Sequence, residues 1–405
     1  MYPILSLDGG GSWAVLQVMA LQEIYGADAA GHDVLANFKL VAANSGGSIT
    51  LGGLIENKTL RQLRDEFFLN LHERQRVFVH AGFFDDPEAA ILRPLGIGAK
   101  YRTDAKLEGL RRLFARYGDV ALSRLRQETG RTDFPDIVVA GFDYDRTRGC
   151  LFRSNRTSRA RNQGDLLDPT LAEAVHASSN APVLYFDAPA RIKGYQFWDG
   201  GVAGYNNPVL LGVIEALSND PESEVHALSI GTGTVFLPFD ACHLEPPELV
   251  QRPKEPAAIA DLRELATAIV DDPPDAASFY AHVALRGTLP NPNAPPAPSP
   301  IVRLNPLIQP VRIGGGWQIP AGLTPRDFAE LLKLPMDAIE QHRVELIVKF
   351  GQAWINNSVL NQPVRTNRET LDCEIGYRFF RDGVAAWRQL FPTQQARNVS
   401  NTNSR

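Results

Sequence analysis

Ser45 lies in FKLVAANSGGSIT, residues 38–50, where an apolar run passes into small and polar residues and then into a second apolar stretch. A strand turning sharply into a helix gives this pattern and lifts a serine hydroxyl above the sheet. The unpaired N–H groups and dipole of the helix start favour negative charge beside that hydroxyl. The pattern is nearly G-x-S-x-G, with Ala43 where glycine is usual. A serine hydroxyl needs a base before it attacks. Asp199 is the candidate, in GYQFWDGGVAGYNNPVLLGVIEA, residues 194–216. An apolar strand ends at Trp198, Gly200 and Gly201 turn the chain, and a helix begins near Pro208. A carboxylate with a pKa of about 4 is a weak base at neutral pH, and burial beside apolar walls strengthens it. Gly9, Gly10 and Gly11 follow Asp8 just past the first strand. Consecutive glycine N–H groups at a helix start cradle an oxyanion or a phosphate. Nucleophile, base and oxyanion donors together describe acyl transfer from an ester.

Each stretch has a plainer reading. Ser45 could be structural in a small-residue turn, and Asp199 could cap a turn ahead of glycines. Gly9-x-Gly11-x-x-Ala14 also satisfies the dinucleotide pattern G-x-G-x-x-A. That fold wants an acid at the end of the next strand, where this chain has Ala42-Ala43-Asn44-Ser45. A Ser–Asp–His arrangement of the α/β-hydrolase kind is disfavoured. Only about two strands precede Ser45, and His226, His282 and His342 lack a clear strand-end setting. No carboxylate–histidine cluster has metal-ligand spacing, so neither metal nor cofactor is expected.

The elements that must hold these residues alternate. Strands are expected at Tyr2–Leu7, Phe38–Ala43, Ile137–Phe142, Gln196–Trp198 and Ala227–Ile230. Helices are expected over Trp13–Tyr25 and from Ser45 through Ile55. The order implies an α/β fold, a mostly parallel sheet with helices on both faces. Residues 65–102 carry Phe67, Phe68, Phe78, Phe83 and Phe84 among charges. They form either an amphipathic helix and loop packed on the core or a lid over an apolar cleft. One domain is expected over residues 1–392. It has a core at 1–240, a variable insertion at 246–300 ending in the proline-rich loop 287–300, and further elements at 301–392. A polar, disordered tail follows at 393–405. The aromatic face of GYRFFRDGVAAWRQLF, residues 376–391, either closes the core or mediates self-association.

Composition narrows the function. The 405 residues are 44% hydrophobic and carry a net charge of −5, so no basic surplus points to nucleic acid. Cys150, Cys242 and Cys373 are too few and scattered for a disulfide framework, which fits a cytosolic protein. The first residues lack a basic n-region, and no stretch approaches 18 apolar residues, so contact with lipid would be peripheral.

Taken in order, Asp8-Gly9-Gly10-Gly11, Ser45 and Asp199-Gly200-Gly201 resemble the patatin-like phospholipase family. That family carries D-G-G-G-x-R-G, a G-x-S-x-G elbow and a D-G-G or D-G-A aspartate. Ala177-Ser178-Ser179-Asn180-Ala181-Pro182 with Tyr185-Phe186 is similar to its A-T-S-A-A-P-x-Y-F segment. Asn206-Asn207-Pro208, Leu228-Ser229-Ile230-Gly231-Thr232-Gly233 and Arg303-Leu304-Asn305-Pro306 also match family segments. The resemblance covers residues 1–235 and, more loosely, 301–350. It implies a three-layer α/β/α sandwich and a Ser–Asp dyad lipid acyl hydrolase. By it, Ser45 is nucleophile, Asp199 general base, and Gly9, Gly10 and Gly11 the oxyanion hole. Ser178 and Ser179 read as packing residues. The implied substrate is a phospholipid or lysophospholipid at a peripheral membrane surface, with an activator or a second copy as further partners. Trp13, Ala14 and Ala43 depart from the family pattern. Trp13, in place of arginine, either extends an apolar acyl site or lies at a membrane surface. These departures leave a second reading, a catalytically silent or activator-dependent lipid-binding effector on the same fold.

Overall fold

The computed structural model describes residues 1–80, 100–161, 167–182, 185–253, 276–291, 294 and 296–392. The tail 393–405, Phe83 and Phe84 of the expected lid, and much of the insertion lie outside the described residues.

Eight strands form the central sheet: β1 Tyr2–Leu7, β2 Leu40–Ala43, β3 Asp136–Asp143, β4 Arg148–Arg153, β5 Ala190–Ile192, β6 Tyr195–Asp199, β7 Val225–Ile230 and β8 Ile301–Leu304. The principal helices are α1 Val15–Tyr25, α2 Ser45–Ile55, α3 Thr103–Leu113, α4 Leu171–Ser178, α5 Val209–Asn219, α6 Gln341–Ile355 and α7 Phe380–Leu390. β3, β2, β1, β7 and β8 run parallel side by side. β4, β5 and β6 join the β3 end through antiparallel pairings, so the sheet is mixed around the mostly parallel body that was expected.

The strands are buried on both faces, which is why they read as unbroken apolar runs. Ile4, Leu40 and Val138 pack with Val209 and Val213 of α5 on one face. Leu5, Leu7, Val41 and Val139 pack with α1 and α2 on the other. Alternate residues of one strand thus serve opposite layers. Residues after 300 complete the same body: β8 extends the sheet, and α6 packs on α1. α7 closes the core, with Phe380 and Trp387 buried and Trp387 stacked on Phe38 at 5.9 Å.

The register around β3 places the site. β4 occupies one edge of β3 from Val138 to Asp143. On the opposite edge β2 reaches as far as Val139, and β6 pairs from Asp143 back to Gly141. β2 runs with β3 and β6 against it. Their C-terminal ends therefore meet head to head, one residue apart along β3. Ser45 leaves one end and Asp199 closes the other.

Candidate active site

Ser45 begins α2 with a positive φ of 48° and is 6% exposed. That left-handed backbone is uncommon for a residue with a side chain and marks a sharp strand-to-helix turn. Ser178 fixes the turn: its hydroxyl accepts the Ser45 N–H at 2.9 Å and donates to Asn44 Oδ1 at 3.4 Å. Gly47 is required sterically, because a Cβ there would lie 2.3 Å from the Leu7 carbonyl oxygen. Ala43 needs no such concession, since it ends β2 wholly buried in the core.

Asp199 Oδ1 accepts the Gly201 N–H at 2.8 Å and Asn44 Nδ2 at 3.1 Å, and the Ser45 side chain lies against its carboxylate. Burial pushes its pKa above the ordinary carboxylate range. Contact with Ser45, the bonds from Gly201 and Asn44, and the Lys106 charge pull against that rise. The carboxylate is thus a stronger base than a solvated one and stands against a serine hydroxyl.

The glycine loop lies beside this pair. Asp8 N–H donates to the Ile230 carbonyl oxygen at 3.1 Å. Thr232 Oγ1 donates to the Gly9 carbonyl oxygen at 2.5 Å, and Gln17 Nε2 to that of Asp8 at 2.8 Å. The Asp8 carboxylate is buried on Arg303 at 2.5 Å, and Arg303 also donates to Ser229 Oγ at 2.9 Å. One expected donor is engaged: Gly9 N–H is taken by the Asn206 carbonyl oxygen at 2.8 Å. The Gly10 and Gly11 N–H groups have no such partner among the described residues. Gly11 adopts φ 55°, and a Cβ there would lie 2.3 Å from the Met336 carbonyl oxygen. Gly11→Ala is therefore expected to displace the loop and cost about 1–3 kcal/mol. A lowered midpoint of urea unfolding would check it; an unchanged midpoint would show that the loop is not held in this form.

Trp13 neither lines the cavity nor reaches the surface. It is 6% exposed, donates from Nε1 to the Pro335 carbonyl oxygen at 3.3 Å, and packs edge-on to Phe350. Both sequence-based roles for it are corrected to a core role. Ser178 is likewise more than packing, since it positions Ser45. His282 binds Ser299 Oγ and the Thr288 carbonyl oxygen, His226 faces Glu224, and neither comes near Ser45.

A cavity of about 360 Å³, its mouth included, opens beside Ser45. Gly11, Gly46, Ile49, Val77, Phe78, Phe186 and Met336 give it mostly apolar walls. Val77 and Phe78 come from the described part of the expected lid, whose Phe67 and Phe68 are buried in the core. Lys106 of α3, which the sequence reading passed over, also lines the cavity.

A mixed sheet with helices on both faces and a serine turn, an aspartate and a glycine loop at one end has the form of an α/β acyl hydrolase. The sequence profile described as patatin-like phospholipase matches residues 5–213, and the chain belongs to that family of lipid acyl hydrolases. No curated protein matches the chain. Among solved structures it is similar to VipD from Legionella pneumophila, at 12% identity and TM-score 0.35, covering 87% of this chain and 66% of VipD. It is also similar to human GIVD cytosolic phospholipase A2 in complex with methyl gamma-linolenyl fluorophosphonate, at 14% identity and TM-score 0.32, covering 57% and 40%. ExoU of Pseudomonas aeruginosa, in complex with SpcU, matches at 13% identity and TM-score 0.25, covering 71% and 53%. The match thus spans just under two thirds of VipD and about half or less of the other two chains. Among the described residues, no helix is long and apolar enough to cross a membrane.

Proposed function

We propose that this chain is a serine acyl hydrolase that cleaves fatty-acyl esters of phospholipids or lysophospholipids. Asp199 takes the Ser45 proton as Ser45 Oγ attacks the ester carbonyl carbon. The oxyanion that forms is held by the Gly10 and Gly11 N–H groups, with Gly9 shaping the loop through its bond to Asn206. Collapse of the intermediate expels the lysophospholipid or glycerophosphodiester alkoxide, which takes up the proton from Asp199. Water then attacks the acyl-enzyme with Asp199 again as base, and fatty acid leaves. The observation that carries the reading is the head-to-head meeting of β2 and β6, which sets a left-handed Ser45 against a buried carboxylate beside glycine N–H groups that have no partner among the described residues.

The test incubates the purified chain with mixed phospholipid and lysophospholipid vesicles, with and without a fluorophosphonate probe. Fatty acid release that stops as the probe labels the Ser45 peptide stoichiometrically is expected. Release that survives full labelling of Ser45 would overturn the reading. The second reading, an effector that waits for an activator, draws support from the cavity. Only about 20 Å³ of it is open to a water-sized sphere, far less than the roughly 300–1,000 Å³ of a ligand pocket. Labelling of Ser45 without vesicle turnover would favour it.

A further inference from the structure

Lys106 has no place in the chemistry above. It projects from α3, is 1% exposed, and lines the cavity beside Ser45. A buried ammonium is costly unless its donors are satisfied. Lys106 Nζ donates to the His176 carbonyl oxygen at 3.1 Å and to Asn180 Oδ1 at 3.3 Å, and stands 4.1 Å from the centre of the Phe186 ring. Asn180 connects it to the dyad. The Asn180 carbonyl oxygen accepts the Asp199 N–H at 3.0 Å, while its Nδ2 donates to the Ala188 carbonyl oxygen at 2.8 Å.

We propose that Lys106 is a positioning residue for the dyad: anchored on Asn180, it fixes the strand end that carries Asp199 and supplies the positive charge facing that carboxylate. The proposal rests on the hydrolase reading. Burial draws the Lys106 ammonium well below the ordinary lysine value and raises Asp199, and each charge opposes the other's loss. Among the described residues, other charges near Asp199 are neutralised or absent. On β3, Asp143 is paired with Arg146 at 2.6 Å. On α4, burial holds His176 neutral, well below its usual value. On the glycine loop, Asp8 is paired with Arg303. Asn44, Ser45 and Asn206, which close the remaining sides, carry no charge.

Without the ammonium, Asp199 ionises only at higher pH, and it must be ionised to act as base. Lys106→Met is therefore expected to move the acidic limb of kcat/KM on lysophospholipid upward by about one pH unit, a tenfold loss just below the limb. The loss falls in kcat more than in KM. Lys106→Gln keeps a polar donor on a side chain one bond shorter but lacks the charge, so it shifts the limb alike if the Met variant fails to fold. Lys106→Arg keeps the charge and returns the limb toward wild type. The rate of fluorophosphonate labelling at Ser45, followed against pH, reads the same limb without lipid binding. A limb that stays in place in folded Met or Gln variants, or a uniform loss at every pH, overturns the proposal while leaving the hydrolase reading intact. A wild-type chain with no Ser45 labelling overturns both.

Discussion

Ser45→Ala and Asp199→Asn are each expected to lower turnover on the order of 10⁴-fold, with no further fall in the double variant. Residues that act as one unit fail together, so their losses do not add, and what remains comes from binding and oxyanion stabilisation. The two variants separate in stability. Burial raises the Asp199 pKa in the folded chain above its unfolded value. The contribution of such a group is fully present below the unfolded pKa and is lost as pH rises through the folded one. At pH 7 the native protein therefore carries a buried carboxylate at a cost. Asparagine has no charge to bury, and its amide oxygen still accepts the Gly201 N–H and Asn44 Nδ2 that now reach Oδ1. Asp199→Asn is expected to be more stable than wild type at pH 7, with the difference shrinking as pH falls toward 4. Ser45→Ala removes one of the interactions that hold the Asp199 pKa down, so it should lose stability more steeply than wild type as pH rises. Parallel activity assays and chemical unfolding at two pH values check both halves. An Asp199→Asn protein that keeps a hundredth or more of wild-type turnover would remove Asp199 as the base, and one that unfolds more easily at pH 7 would mean that the buried carboxylate carries no net cost.

The parts of the site legible in the sequence were those whose chemistry is local. A serine among small residues after an apolar run announces its own turn, and Ser45 does begin α2. An aspartate before two glycines announces a strand end, and Asp199 does close β6. Their meeting was not legible, because it depends on β6 running against β3 on the edge that β2 leaves free. Nothing in the residues of β6 states its direction. β4 was missed for a related reason. Its RGCLFR mixes charge with apolar residues, and the buried Arg153 is paired with Glu215 of α5 at 2.9 Å, a partner far off in sequence. Lys106 hid in TDAKLEGLRRL, a stretch whose charges read as a solvated face. Its burial comes from α4 and Phe186 arriving from 70 or more residues away. Trp13 was misread because the residues that enclose it, Pro335 and Phe350, lie more than 300 positions downstream. The Gly9 N–H was counted as free for the same kind of reason, since Asn206 reaches it only in the fold.

Arg303→Met is expected to destabilise the chain by about 3–5 kcal/mol, the usual consequence of stripping the partner from a buried charge. Asp8 and Arg303 are 5% and 3% exposed, so water cannot take the place of the missing guanidinium. The pair joins the first strand end to β8, nearly 300 residues later, and Arg303 also holds Ser229 at the end of β7. Three adjacent parallel strands are thereby tied at the end where the glycine loop leaves the sheet. Loss of the tie should reach activity as well as stability. The Asp8 carbonyl oxygen and the Gly9 N–H and carbonyl groups are each bonded to a fixed partner. A shift of Asp8 therefore moves the whole loop on which the Gly10 and Gly11 N–H groups depend. Asp8→Asn alone leaves the guanidinium unpaired and should also destabilise. The double variant Asp8→Asn/Arg303→Met leaves neither charge behind, and it should recover about 2 kcal/mol or more relative to the sum of the singles. Urea unfolding of the four proteins measures that coupling. Additive losses would mean that the two charges do not depend on each other, and that the loop is held by its backbone bonds, Gln17 and Thr232.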